Sequence, residues 1–265
     1  MTDINDIPKE NIAAIYLDEE KGEQYIFTRD QLINQLQRVC PGIQKSFDDT
    51  FSEEFKNLSS DLSEILPIQF VGYRKAQESK NELLITCGDL LRNSANTIIA
   101  ANQTLRCGFR LQSGILLRSV IEMCATVVHL LVKPEDLKKF LADELASTKS
   151  ISIADKQVPL FGRIWGVMSS KQIHINSLHA DWYPMKEYSD KEEIPASVTL
   201  GMLGVSTMIL HIVTEMTFIN EIETPKYWEV IGKGQVKFIP PDNSTLSWTE
   251  KLLNKKELVL TAHLQ

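Results

Sequence analysis

Arg118, Glu122 and His129 interrupt an apolar run, Phe109 to Val132 (FRLQSGILLRSVIEMCATVVHLLV), in which aliphatic residues would otherwise be expected at every turn. At about 100° per residue, Glu122 lies roughly 40° and His129 roughly 20° around a helix axis from Arg118, so the three form one narrow stripe. A guanidinium in an apolar wall needs acceptors, and Glu122, one turn further on, is the nearest. A second polar cluster, Ser170 and His174 at one-turn spacing, lies within WGVMSSKQIHINSLH. Metal binding is poorly matched there, because His174, His179 and Asp181 lack the regular geometry of an HExxH helix. A Ser-His nucleophile pair is no better matched, since no glycine-flanked serine elbow accompanies it. Read from the residues alone, Arg118, Glu122, Ser170 and His174 suit a hydrogen-bonded network that fixes how central helices pack.

The elements that would position these groups are mostly helical. Apolar residues cover so much of Phe109–Val132 that other helices must surround it, and it is expected to be the most buried element. Residues Ala76 to Arg106 keep a helical pattern, and Cys107-Gly108 marks a turn that makes the two helices an antiparallel hairpin. Lys133-Pro-Glu-Asp136 closes the central helix and opens another over Leu137, Phe140, Leu141 and Leu145. The polar stretch Thr148 to Gln157 reads as a loop. Pro159 to Ile173 and Ser197 to about Asn220 read as helices, and His211 and Glu215 in the second could pair at one turn.

At the N-terminal end, the β-prone runs Ile12–Leu17 and Gln24–Phe27 flank a turn at Asp18–Gly22. Thr28-Arg-Asp-Gln31 has the form of a capping box opening a helix over Leu32, Ile33, Leu36 and Val39, which Cys40-Pro-Gly42 is expected to end. Phe47, Phe51, Phe55, Leu58, Leu62 and Ile65 then recur at spacings of four and three, predicting an amphipathic helix over Ser46–Leu66 stopped by Pro67. Beyond Thr224, Tyr227–Ile231 and Gln235–Ile239 suit a hairpin, and Asn243–Glu257 a final helix. The expected fold is mainly α: a helical bundle around a long central helix, with a small mixed α/β N-terminal appendage and an irregular C-terminal tail. The corresponding divisions are 1–70, 71–223 and 224–265.

Composition bounds the function classes. A chain of 265 residues with 43% hydrophobic content can bury a substantial core. Its net charge of −7 and pI near 5.4 weigh against a broad nucleic-acid-binding surface. The four cysteines, Cys40, Cys87, Cys107 and Cys124, form no CxxC pair and suit free buried thiols. The acidic, polar N-terminus lacks the pattern of a secretory signal, so a cytoplasmic protein is expected. Leu111–Val132 and Ile194–Thr214 are long enough to span a bilayer, but Arg118 and Glu122 would each cost about 2.5–3.5 kcal/mol at a helix centre, and buried core helices with no membrane partner are expected.

The motif Leu116-Leu-Arg118-Ser-Val-Ile-Glu122 on a long helix, followed after an intervening helix by Ser169-Ser170-Lys-Gln-Ile-His174, resembles prokaryotic all-helical proteins related to the HEPN superfamily. The resemblance covers roughly residues 76 to 220. It implies a helical-bundle homodimer, and, since many HEPN proteins are metal-independent endoribonucleases of toxin or antiphage defence systems, RNA as partner and neither metal nor cofactor. It further implies a catalytic set of Arg118, Glu122, Ser170 and His174. His174 would act as general base or acid in attack of an RNA 2′-hydroxyl on the adjacent phosphate, Arg118 would stabilise the developing charge and Glu122 would orient it. The usual family signature, an Arg followed closely by a His, is not present here. The competing expectation is a non-catalytic helical interaction module in which the same four residues are structural. Arg118, Glu122 and His174 are expected to converge, in a site either catalytic or structural, and their separation would remove the support for the HEPN-like reading.

Overall fold

The computed structural model describes residues 8–170, 185–189, 191, 194–232 and 235–239. Strands β1 (Ile12–Asp18) and β2 (Glu23–Thr28) pair antiparallel as the sequence predicts, with Gly22 in the turn at φ +66°, a conformation that favours a residue without Cβ. Their register puts Tyr16 beside Tyr25 and Ala14 beside Phe27 on one face, and Ile15 beside Ile26 on the other. Among the described residues, neither face is covered: Ile15, Tyr16, Leu17, Tyr25 and Phe27 are all exposed.

The chain then turns helical at Gln31–Ile33, widens into a π-helix over Asn34–Val39 and continues as α1 (Cys40–Thr50). The Cys40-Pro41-Gly42 stop therefore does not operate. Pro41 falls in the first turn of α1, just after the π-helix, where its missing N–H costs little. The expected capping box does not form either, since Asp30 occupies the N-cap without a side-chain cap bond. Leu32, Ile33, Leu36 and Val39, the residues over which that helix is expected, are exposed.

Phe51, at φ −115° and ψ 28°, separates α1 from α2 (Ser52–Glu78), so the predicted helix over Ser46–Leu66 is two helices. Its apolar stripe is core nonetheless: Phe47 and Phe51 pack on each other and on Tyr188 at ring separations of 5.1–5.6 Å, and Leu58 and Ile65 are buried. Pro67 does not stop α2. An interior proline costs about 3 kcal/mol, but the turns beyond it bury Gln69, Gly72 and Ala76 against neighbouring helices. Gln69 donates to Thr214 Oγ1 at 3.2 Å, and Gly72 lets the Phe218 ring approach where any Cβ would collide. Tertiary packing thus overrides the local signal.

A tight turn through Ser79–Asn81 leads to α3 (Glu82–Arg106), whose N-cap Asn81 accepts from the Leu84 N–H at 3.1 Å; the helical pattern from Ala76 is broken here. After Gly108, at φ +88°, α4 (Gln112–Val132) returns antiparallel to α3 as expected, and Ser113 donates to the Ala101 carbonyl at 2.7 Å. A 3₁₀ turn at Pro134–Asp136 and the short α5 (Leu137–Leu141) follow. Ser147–Gln157 is helix α6, although Thr148–Gln157 reads as a loop: its polar composition hides a stripe of Ser150, Ile151 and Ala154 facing the bundle. Next come α7 (Phe161–Met168) and α8 (Ile194–Thr217). Strands β3 (Trp228–Gly232) and β4 (Gln235–Phe238) form the predicted tail hairpin, fastened where Trp228 donates its indole N–H to the Ile212 carbonyl at 2.8 Å. The expected helix over Asn243–Glu257 lies outside the described residues.

The fold is mainly α, with one core cluster running from Ile43 to Trp228. Helix α4 packs against α3, α6, α7 and α8, the central position its apolarity predicts. It is not the most buried helix. In their most apolar stretches 56% of α4 and 78% of α8 is buried, and Ile115 and Val132 of α4 reach solvent. The reason is compositional: α8 carries Gly201, Ser206, Thr207 and Thr214, which admit neighbours closely, and no Lys or Arg. Both helices have the length and apolarity to cross a membrane, and in this fold both are mostly buried core helices.

Candidate functional site

Arg118 and Glu122 face each other one turn apart on α4, with Arg118 Nη2 3.0 Å from Glu122 Oε1. Trp165 of α7 completes the group: its indole N–H donates to the same Oε1 at 2.9 Å, and the Arg118 guanidinium lies 5.2 Å from its ring centroid. The side chains of Arg118 and Glu122 are 22% and 27% exposed, so this is a pair at the bundle surface and not the dry interior pair that the apolar run suggests. Arg118 Nε is buried and makes no hydrogen bond among the described residues. The sequence reading does not name Trp165 as a partner; its indole N–H is the signal that could have, since a partly buried tryptophan needs an acceptor.

His129 shares the angular position of Arg118 but stands eleven residues on, about 16 Å along the axis at 1.5 Å per residue. It consequently meets different neighbours. Its ring is fully buried, with Nδ1 2.9 Å from Ser150 Oγ and Nε2 3.1 Å from Asp136 Oδ2. Lys139 and Lys149 also donate to Asp136, at 2.6 and 3.2 Å. Lys139 first, then His129 and Lys149, hold the Asp136 carboxyl well below the usual carboxylate range. The order Ser–His–Asp resembles a nucleophile triad, but Ser150 and His129 are sealed from solvent and no substrate atom could approach the hydroxyl. This cluster ties α4, the Pro134–Asp136 turn and α6 together.

His211 and Glu215 pair on α8 as expected, at 3.4 Å, and Glu215 does more than the pairing foretold. Its carboxylate accepts the backbone N–H groups of Lys226 and Tyr227, each at 2.8 Å, and so anchors the tail hairpin. Burial raises the Glu215 pKa, but the hydrogen bonds from His211 and the two backbone N–H groups outweigh it and hold the group below its ordinary value. Arg110 escaped sequence reading altogether. Fully buried, it stacks 4.2 Å from the Tyr188 ring centroid and donates to the carbonyls of Gly108 and Lys186 at 3.2 Å, pinning residues 185–189 onto the bundle.

Of the implied catalytic set, Arg118 and Glu122 are brought together. Ser170, exposed at the end of α7, donates to the Val167 carbonyl at 3.2 Å. His174 lies outside the described residues, and with it the expected convergence of Arg118, Glu122 and His174. Among the described residues no three His, Cys, Asp or Glu side chains are grouped to hold a metal ion. The four cysteines are free thiols; burial pushes Cys87 and Cys124 up to about 12, leaving both unreactive. Comparison of the chain with protein-family models, curated proteins and solved structures gives no match.

Proposed function

We propose that the protein is a non-catalytic helical interaction module, whose ionisable clusters hold the bundle and whose N-terminal hairpin meets a partner. One observation carries this: both faces of the β1–β2 hairpin present large apolar side chains that no described part of the chain covers. The clusters support it from the other side. His129, Asp136 and Ser150 are occupied with one another, and Glu215 is occupied with the tail.

A second reading, the HEPN-like endoribonuclease of a defence system, draws on the Arg118 group. The guanidinium is partly open to solvent, its Nε is unused, and Trp165 beside it belongs to the helix that leads toward Ser170. An RNA-cleavage assay separates the two. A non-catalytic module leaves single-stranded and structured RNA intact; cleavage by the wild type that disappears in both Arg118→Ala and His174→Ala would establish the second reading instead.

A further inference from the structure

Building on the interaction-module reading, we infer that the partner of the N-terminal hairpin is a second copy of this chain, joined through the outer edge of β1 into a four-stranded antiparallel sheet. A two-stranded hairpin is marginal alone, and three or more strands with a hydrophobic face, or packing against a helix, are needed for stability. Among the described residues β1 pairs only with β2, so its other edge offers unpaired backbone groups. Edge strands are ordinarily protected by charge or proline, and β1 has neither from Ile12 to Leu17.

The edge is self-complementary. Pairing β1 with its symmetry copy about its central residue sets Ile15 against Ile15, Ala14 against Tyr16 and Ala13 against Leu17, with no like charges opposed. The same two-fold brings the tip of one hairpin beside the base of the other. The tip carries Asp18, Glu19, Glu20 and Glu23 against a single lysine, Lys21; the base and the helical turn after it carry Lys9, Arg29 and Arg38 against Glu10 and Asp30. A strongly acidic end therefore meets one with a slight excess of positive charge.

Apolar side chains line the seam. Ile15, Tyr16 and Leu17 of β1 are 47–62% exposed and would meet their symmetry-related neighbours across it.

Sedimentation of the full chain tests the proposal. The wild type should approach twice its 30.1 kDa at high micromolar concentration. Ile15→Lys and Ile15→Glu each place like charges on the axis and should sediment as monomers with an unchanged bundle melting temperature, while an equimolar mixture of the two should recover the dimer. Ile15→Cys, a milder change, should give a disulfide-linked dimer under mild oxidation that the wild type does not give. A wild type that stays monomeric at every concentration overturns the proposal and assigns the surface to another protein or another segment of the chain. A dimer that survives both charged variants, or a mixture that stays monomeric, overturns it as well. Failure here leaves the module reading standing, whereas RNA cleavage that depends on Arg118 removes that reading without touching the sedimentation result.

Discussion

Two ends of one polar stripe on α4 meet opposite fates. At the N-terminal end Arg118, Glu122 and Trp165 share a partly buried site at the bundle surface, and one guanidinium N–H donor has no acceptor among the described residues. At the C-terminal end His129, Asp136 and Ser150 are buried, and both imidazole nitrogens have partners. Angle on the helix is nearly the same, so the difference comes from position along the axis and from what packs there. Near the surface Arg118 keeps contact with solvent through part of its side chain and leaves its buried Nε unused among the described residues, while the interior pairs both ring nitrogens of His129.

The largest expected effect is at the buried end. His129→Ala removes a fully buried ring, leaves the buried Ser150 hydroxyl without its partner and takes one of three donors from Asp136, and should destabilise the bundle by about 3–5 kcal/mol in urea unfolding. A loss of under about 1 kcal/mol would erase the distinction between the two ends. Acid comes next. Asp136 and Glu215 have depressed folded pKa values, so the unfolded chain takes up protons at higher pH than the folded one. Their stabilisation is fully present above the ordinary carboxylate range and is lost as pH falls through and below it. Melting temperature followed into acid should therefore drop steeply, and Asp136→Asn should flatten that limb.

At the surface end, Arg118→Ala should cost about 1–2 kcal/mol, since solvent still reaches the partly buried ion pair and weakens it, and the stacking on Trp165 adds a little. A loss of about 3–5 kcal/mol would mean that the pair is dry. Smallest of all is the coupling between the ends. The Arg118→Ala, His129→Ala double-mutant cycle should be additive to within about 0.5 kcal/mol, because the two groups share no partner. A larger coupling would show the stripe acting as one network.

The central position of α4, the α3–α4 hairpin, both strand pairs and the Arg118–Glu122 contact were legible in the sequence, because each rests on local spacing or a short turn. What was not legible depends on distant residues. Pro67 sits inside a helix because Gln69, Gly72 and Ala76 are rewarded by Thr214, Phe218 and the bundle. Helix α6 reads as a polar loop until Ser150 is seen to serve His129. The exposure of Leu32, Ile33 and Leu36 is likewise invisible to periodicity, which finds an apolar face without saying what, if anything, covers it.

Amide hydrogen exchange at rising protein concentration bears most directly on the proposed division between a structural bundle and an associating hairpin. Amides of β1 should gain protection as concentration rises, while those around His129 in α4 stay strongly protected throughout. Exchange in β1 that is fast and independent of concentration, together with α4 amides near Arg118 that become protected when RNA is added, would contradict that division.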